Sequence, residues 1–396
     1  MGLSSITSNF RNFYRFFIEP EKCWKWLRKS DVLIYDEAGA EILQQYLAGY
    51  RAEIIHVRGE SIVMPILLLA IFRLIFWKGK PIQAYVDAYI RVVSPKVIIT
   101  FIDNTPAFYT ISNRFSAVKT IFFQNGSRSE VADVFGHLRK DAQYHVDYML
   151  VHGDAIGKHY NKYISGEVIT AGSLKNNAVP VISNSEAGTV LFISEYYEHD
   201  NKKEPFVVGP DGTVIEHEQF YLVEKQVLDF LGKWCCENKK ILRICGRSAT
   251  GNMSEKSFYS RYLNGCNWQY ISRSDSYSSY QLVDKAEIVV FIDSTLGYEA
   301  IGRGKKTAGF SCRGTFINST AANFGWPIHL ADNGPFWTND CDVHEFRRVM
   351  DYLNTVGDEE WEQTRKHYAS DLMVLDPGNT RFTALIDHLL SKTEKS

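Results

Sequence analysis

Two series of short, almost wholly apolar runs alternate with stretches of helical spacing, and this alternation constrains the fold more than any other feature of the chain. In the first series VLIYD (32–36), AEIIHV (52–57), PKVIITFID (95–103), KTIFFQNG (119–126), VDYMLVHGD (146–154) and EVITAGS (167–173) read as strands. In the second, TVLFISE (189–195), KILRICGR (240–247), WQYIS (268–272), EIVVFID (287–293) and KTAGF (306–310) do so. Strands apolar on both faces, each followed by a helix, predict parallel sheets covered on both sides. Residues 174–187, rich in Asn, Ser and Pro, break the pattern and read as a linker. The expected fold class is α/β: two Rossmann-like domains facing a cleft, over 1–180 and 181–375. A C-terminal helix over 376–396 can pack back on the first domain.

The strands end in polar or small residues, and ligands in open α/β sheets sit beyond those carboxyl ends. The sharpest segment is FIDSTLGYEAIGRGKK, 291–306. A strand ends at Asp293, and Ser294 and Thr295 open a helix whose free N–H groups and hydroxyls suit an anion. Glu299, one turn on, suits a ribose diol. The plain alternative is Ser294 as an N-cap worth about 1 kcal/mol. Gly246 lets a ligand approach the backbone, and Arg247 suits bidentate pairing with a phosphate or carboxylate, or a surface salt bridge. Arg273 and Ser274, in a Ser-rich turn, belong to the same strand-end set. In the first domain Asn104, Gln124 and Asn125 are candidates for holding an acceptor, although a tight turn alone accounts for Asn-Gly. His152 reads as an acid/base group or as a satisfied core histidine.

Lys+Arg is 44 and Asp+Glu 46, which argues against a dedicated nucleic-acid binder. Seven Cys without a CxxC read as reduced thiols, not as zinc ligands or disulfides. No Asp-x-Asp stands at a strand end, so neither a metal nor another cofactor is expected. Arg, Lys and a helix N-terminus would neutralise a leaving phosphate.

The run FIDNTPAFYTISNRF…KTIFFQNGSR, followed by SSYQLVDKAEIVVFIDSTLGYEAIGRGKK, resembles bacterial surface-carbohydrate biosynthesis proteins that look like GT-B glycosyltransferases. The resemblance is clear over 95–130 and 240–312. It implies a nucleotide sugar on the second domain and a glycan or glycolipid acceptor on the first. A narrower resemblance is to transferases for CMP-activated ulosonic acids (Kdo, sialic acid and nine-carbon relatives), which bind the CMP phosphate with a Ser-Ser or Ser-Thr pair. Ser294-Thr295 fits that pair, whereas Gly246-Arg247 stands where those enzymes carry His-Pro. An epimerase of the same fold and a non-catalytic carbohydrate-binding protein are the alternatives. A transferase needs a carboxylate in the cleft as base or nucleophile. Asp103 is the first choice by position, or else a helix cap, with Glu37, Asp154 and Glu195 behind it.

Residues 10–29 mix aromatics with six basic side chains and read as a terminal helix or as a peripheral contact with anionic lipid. The apolar run 62–77 is shorter than the ~20 residues of a spanning helix and contains Arg73, so it reads as a buried helix. No secretory signal is evident, and the expected location is cytoplasmic, with peripheral association at the inner face of the cytoplasmic membrane.

Overall fold

The computed structural model describes residues 19–77, 81–131, 133–139, 142–196, 198, 206–208, 212, 214–248 and 253–391. Phe13 and Phe17, part of the basic aromatic segment, lie outside them. The first lobe is built on six parallel strands: β1 (Val32–Tyr35), β2 (Ala52–Ile55), β3 (Val97–Thr100), β4 (Lys119–Phe123), β5 (Tyr144–Val151) and β6 (Ile164–Thr170), in the order β2-β1-β3-β4-β5-β6. The second has β7 (Thr189–Ile193), β8 (Ile241–Cys245), β9 (Trp268–Ile271), β10 (Ile288–Phe291), β11 (Lys306–Phe310) and β12 (Trp337–Thr338), in the order β9-β8-β7-β10-β11-β12.

Alternation along the strands builds a core on each face. Leu33, Ile98 and Phe122 enter one cluster, whereas Val32, Ile34, Ile99, Ile121 and Phe123 enter the other. In each sheet the first strand, β1 or β7, has its successor on one side and a later strand, β3 or β10, on the other. This reversal opens a crevice at the carboxyl ends. In the second lobe the crevice lies between Ser194-Glu195, after β7, and Asp293-Ser294, after β10.

The helix α10 (Thr380–Ser391) crosses back to the first lobe, where Phe382, Ile386 and Leu390 complete the second cluster. The Phe382 ring meets Phe123 edge-on at 4.7 Å.

Three expectations need correction. The helix that the alternation expects after the strand 95–103, near 105–114, is a single 3₁₀ turn, Phe108–Thr110; Pro106 disfavours helix at Thr105, and Tyr109 is tied back to the Asp103 carbonyl. The stretch 10–29 is no helix where it is described: Glu21–Cys23 pairs in parallel with Ser61–Val63, and Trp24 and Trp26 are each 72% exposed. The apolar run forms α1 (Met64–Trp77), which is buried only on one side. Leu68, Leu69, Ile71 and Phe72 face solvent.

Candidate functional site

Three cavities run in series along the cleft. The first, about 210 Å³, lies at the ends of β7, β8 and β10 and is lined by Lys175, Gly246, Arg247, Arg273, Ser294, Thr295 and Glu299, with Asn125 from the opposite lobe. Thus six of the seven residues expected to bind nucleotide converge. Ser274 does not: its hydroxyl donates to Asp275 at 3.0 Å and its N–H to Ser278, within a turn.

Ser294 is the N-cap of α7 (Thr295–Gly302), yet its hydroxyl makes no cap bond, so simple capping does not account for it. The Arg273 Nε is buried with no partner. Lys175, from the short helix α3 (Leu174–Ala178), adds a cation that sequence reasoning missed. Glu255, on α5 (Met253–Tyr262), was missed as well. It accepts from the Arg247 N–H at 2.9 Å, the Tyr270 hydroxyl at 2.8 Å and the Ser194 hydroxyl, and so fixes the β8 turn.

Other residues play parts different from those expected. Thr295 spans the cleft, its Oγ1 accepting from the Ser127 N–H at 2.8 Å and donating to the Ser127 hydroxyl at 3.2 Å. Gly246 is required by Tyr270, whose hydroxyl would lie 2.3 Å from a Cβ there. Glu299 accepts from Tyr280, on α6 (Ser278–Lys285), at 3.1 Å and from Ser173; burial pushes its carboxyl up to about 7 against these bonds.

The middle cavity, about 520 Å³, shares Ser194, Arg247, Ser294 and Thr295 with the first and adds Glu195, Asp293 and Arg313. The outer cavity, about 310 Å³, lies between the lobes and shares Asp293 and Ser127 with the middle one. Arg313, first residue of α8 (Arg313–Ile317), is buried and meets three carboxylates. Its Nη1 lies 2.6 Å from Glu195 and also bonds Asp293, and its Nη2 bonds Glu224, on α4 (Leu222–Glu237). Its guanidinium stacks 4.1 Å from the Phe220 ring centroid. One cation cannot neutralise three ionised carboxylates in a desolvated site. Burial and the Asp293 charge push Glu195 well above the carboxylate range, and burial pushes Glu224 up to about 7. For Asp293, burial is outweighed by Arg313 and by the hydrogen bond from Glu195, and the carboxyl is held below its usual range.

In the first lobe the expected acid/base residues are placed otherwise. Asp103 is fully buried; it accepts from Arg128 Nε at 2.7 Å, Arg128 Nη2, the Asn125 N–H at 3.2 Å and the Tyr160 hydroxyl. Both oxygens are taken, and it lines none of the three cavities, which is the placement of a structural ion pair and not of a base. Glu37 bonds His56 at 3.0 Å, outside the cleft cavities. Asp154, at the start of α2 (Asp154–Tyr160), accepts from Thr170. Asn104 is exposed and lines none of the three cavities. Gln124 lines the outer cavity, but its amide is spent on the Gly126 carbonyl at 2.9 Å and the His152 N–H at 3.0 Å. Asn125 faces the first cavity, among the residues expected to bind nucleotide, and accepts from Arg128 at 3.1 Å. Burial lowers the His152 imidazole to about 4, so the ring is neutral at pH 7, and its Nε2 has no partner. Glu37, His56 and Glu60 bring ligand atoms within 4.8 Å of one another, the one grouping among the described residues with metal-binding potential, and they lie away from all three cavities.

Two Rossmann-like sheets facing a cleft define the GT-B fold, and solved structures share it. A "putative UDP-N-acetylglucosamine 2-epimerase" from Listeria monocytogenes superposes with a TM-score of 0.55 at 11% identity, over 92% of this chain and 98% of that one. The MnaA–UDP co-structure of S. aureus gives 0.55 at 11%, over 95% and 98%. A glycosyltransferase from Rickettsia africae gives 0.50 at 12%, over 92% and 100%. Residues 121–390 match the model of the family described as "putative O-antigen biosynthesis protein", and the chain belongs to that family. No curated protein sequence matches it.

Proposed function

We propose that the protein is a glycosyltransferase that moves a sugar from a nucleotide-activated donor onto a growing bacterial surface glycan. The donor class we favour is a CMP-activated ulosonic acid, such as Kdo or a nine-carbon relative. The observation that carries this reading is the first cavity. There an unpartnered buried Arg273 Nε, a Ser294 hydroxyl free of capping and the cations of Lys175 and Arg247 surround one space. A ligand bearing a phosphate and a carboxylate satisfies all of them, and family membership supports a surface glycan as destination. These cations take the place of a metal in neutralising the leaving phosphate, so we expect turnover to survive EDTA.

Calorimetry with CMP and UDP tests the donor. CMP should bind more tightly, and Ser294→Ala should weaken it several-fold with little change in thermal stability. A clear preference for UDP would replace the CMP assignment. A second reading, a nucleotide-sugar epimerase, is favoured by the carboxylate cluster beside the cavity, because epimerisation moves a proton and not a sugar. Incorporation of deuterium from D₂O into a UDP-sugar without any acceptor would establish it.

We also propose peripheral contact with the cytoplasmic face of the membrane. No helix among the described residues is long and apolar enough to cross a membrane. The exposed Trp24 and Trp26 lie close to the start of α1, whose outer face shows Leu68 and Phe72, and basic residues flank them at Lys22, Lys25, Arg28 and Lys29. Each basic residue near an anionic surface contributes about 1 kcal/mol, screened by salt. Anionic liposomes should therefore retain the protein at low salt and release it at high salt.

A further inference from the structure

We propose that Asp293 is the catalytic base of this site, with Arg313, Glu195 and Glu224 as the residues that position it. The inference rests on the transferase reading above and assigns the acceptor's route through the cleft.

The argument begins with the order of the cavities. Ser294 lines the first and middle cavities, whereas its neighbour Asp293 lines the middle and outer ones. A phosphate seated at Ser294 places the attached sugar carbon on the middle cavity's side. An acceptor hydroxyl entering from the outer cavity then meets that carbon beside Asp293. Glu224 is fully buried and lines none of the three, and Glu195 lines only the middle one. Asp371 lines only the outer one. Asp293 alone among these carboxylates lies where donor and acceptor spaces join, and its side chain keeps 37% of its surface.

The surrounding charges keep Asp293 ionised at some cost in basicity, so its place between the cavities, and not its acidity, carries the role. A base must be ionised before the reaction and must have a lone pair facing the substrate. Arg313 bonds Asp293 on one oxygen, and Glu195, which retains its own proton, donates to Asp293. Of the two carboxyls on Nη1 of Arg313, burial and charge favour the proton on Glu195 and the negative charge on Asp293, which is the more exposed of the pair. In the reaction the acceptor oxygen bonds to the anomeric carbon while the bond from that carbon to the phosphate oxygen breaks. The electron pair leaves on the nucleotide, and the acceptor's proton passes to a carboxylate oxygen of Asp293. The configuration at the anomeric carbon inverts.

The test uses the full chain and three donors, CMP-N-acetylneuraminate, CMP-Kdo and UDP-N-acetylglucosamine, with water as the acceptor. Nucleotide release is followed, and nucleotide affinity is measured separately by calorimetry. Asp293→Asn should slow release by roughly 10²-fold or more with affinity undiminished, the scale of a lost general base. Asp293→Glu should release faster than Asp293→Asn. Should Asp293→Asn fail to fold, a fall in kcat at unchanged KM in Asp293→Glu makes the same point. Release at the unaltered rate in Asp293→Asn, or a loss confined to affinity, would overturn the role of Asp293 and leave the transferase reading standing. No release by the unaltered protein from any of the donors would overturn both.

Discussion

Each lobe sets an aspartate at the end of a central strand against an arginine, and the two settings differ in charge balance. Asp103 is fully buried and meets one guanidinium, Arg128, with a tyrosine hydroxyl and a backbone N–H filling its remaining lone pairs; Arg128 also reaches the more exposed Asp133 at 3.6 Å. Asp293 shares its guanidinium, Arg313, with two further carboxylates and keeps a face on two cavities. A buried carboxylate whose oxygens are all taken resists any change of protonation, so it stiffens a lobe. A cluster with more carboxylates than cations must hold a proton that has somewhere to go. Position at a strand end is common to both; what separates them is that Asp293 shares its cation with two further carboxylates and opens onto cavities, whereas Asp103 has no face left for a ligand.

The largest effect expected from this contrast is on stability. Asp103→Asn leaves Arg128 with only the longer contact to Asp133 as counter-charge and should cost about 3 kcal/mol, read by urea unfolding. Whatever turnover remains should track the folded fraction. Stability intact with turnover lost would put the two aspartates in the same role.

A smaller effect concerns pH. Folding raises Glu224 from 4.5 to about 7, so between those values the folded protein holds a proton that the unfolded chain has released. Stability is therefore greatest below this window and falls as pH rises through it, by up to about 1.4 kcal/mol per pH unit at its steepest. Glu299, also raised to about 7, contributes with the same sign. Glu224→Gln should make the pH dependence of the unfolding midpoint shallower without abolishing it. The smallest effect belongs to the bond that crosses the cleft. Thr295→Val removes the hydroxyl that holds Ser127 and should cost under about 1 kcal/mol of stability. Faster amide exchange at Ser127 would report the loosened contact.

Much of this architecture was legible because parallel strands announce themselves locally. Val97–Thr100 and Ile288–Phe291 are apolar on both faces, and no other placement buries them. The convergence of Arg247, Arg273, Ser294 and Glu299 followed from the strand-end rule alone. The boundaries of long helical stretches were less clear: the run 216–237, apolar at helical spacing, divides at Tyr221 into His217–Phe220 and α4, whereas Pro377-Gly378 marks the break between α9 (Asp358–Leu372) and α10. The charge partners were hidden altogether. Arg128 lies in a turn 25 residues from Asp103, and Glu224 is 89 residues from Arg313. Nothing in the local pattern distinguishes these arginines from solvated ones. Asp103 looked like a base for the same reason: its strand revealed its rigidity and not its neighbours.

The return of α10 to the first lobe has a consequence for biosynthesis. Its Phe382, Ile386 and Leu390 share with Ile42, Leu43 and Leu174 the covering of the face formed by Val32, Ile34, Ile99 and Phe123, so part of one side of the earlier sheet stays uncovered until α10 is made. On a ribosome the later lobe, whose strands and covering helices lie between those two parts of the chain, is fully synthesised first. The half of the molecule that is translated first is thus the half that finishes folding last.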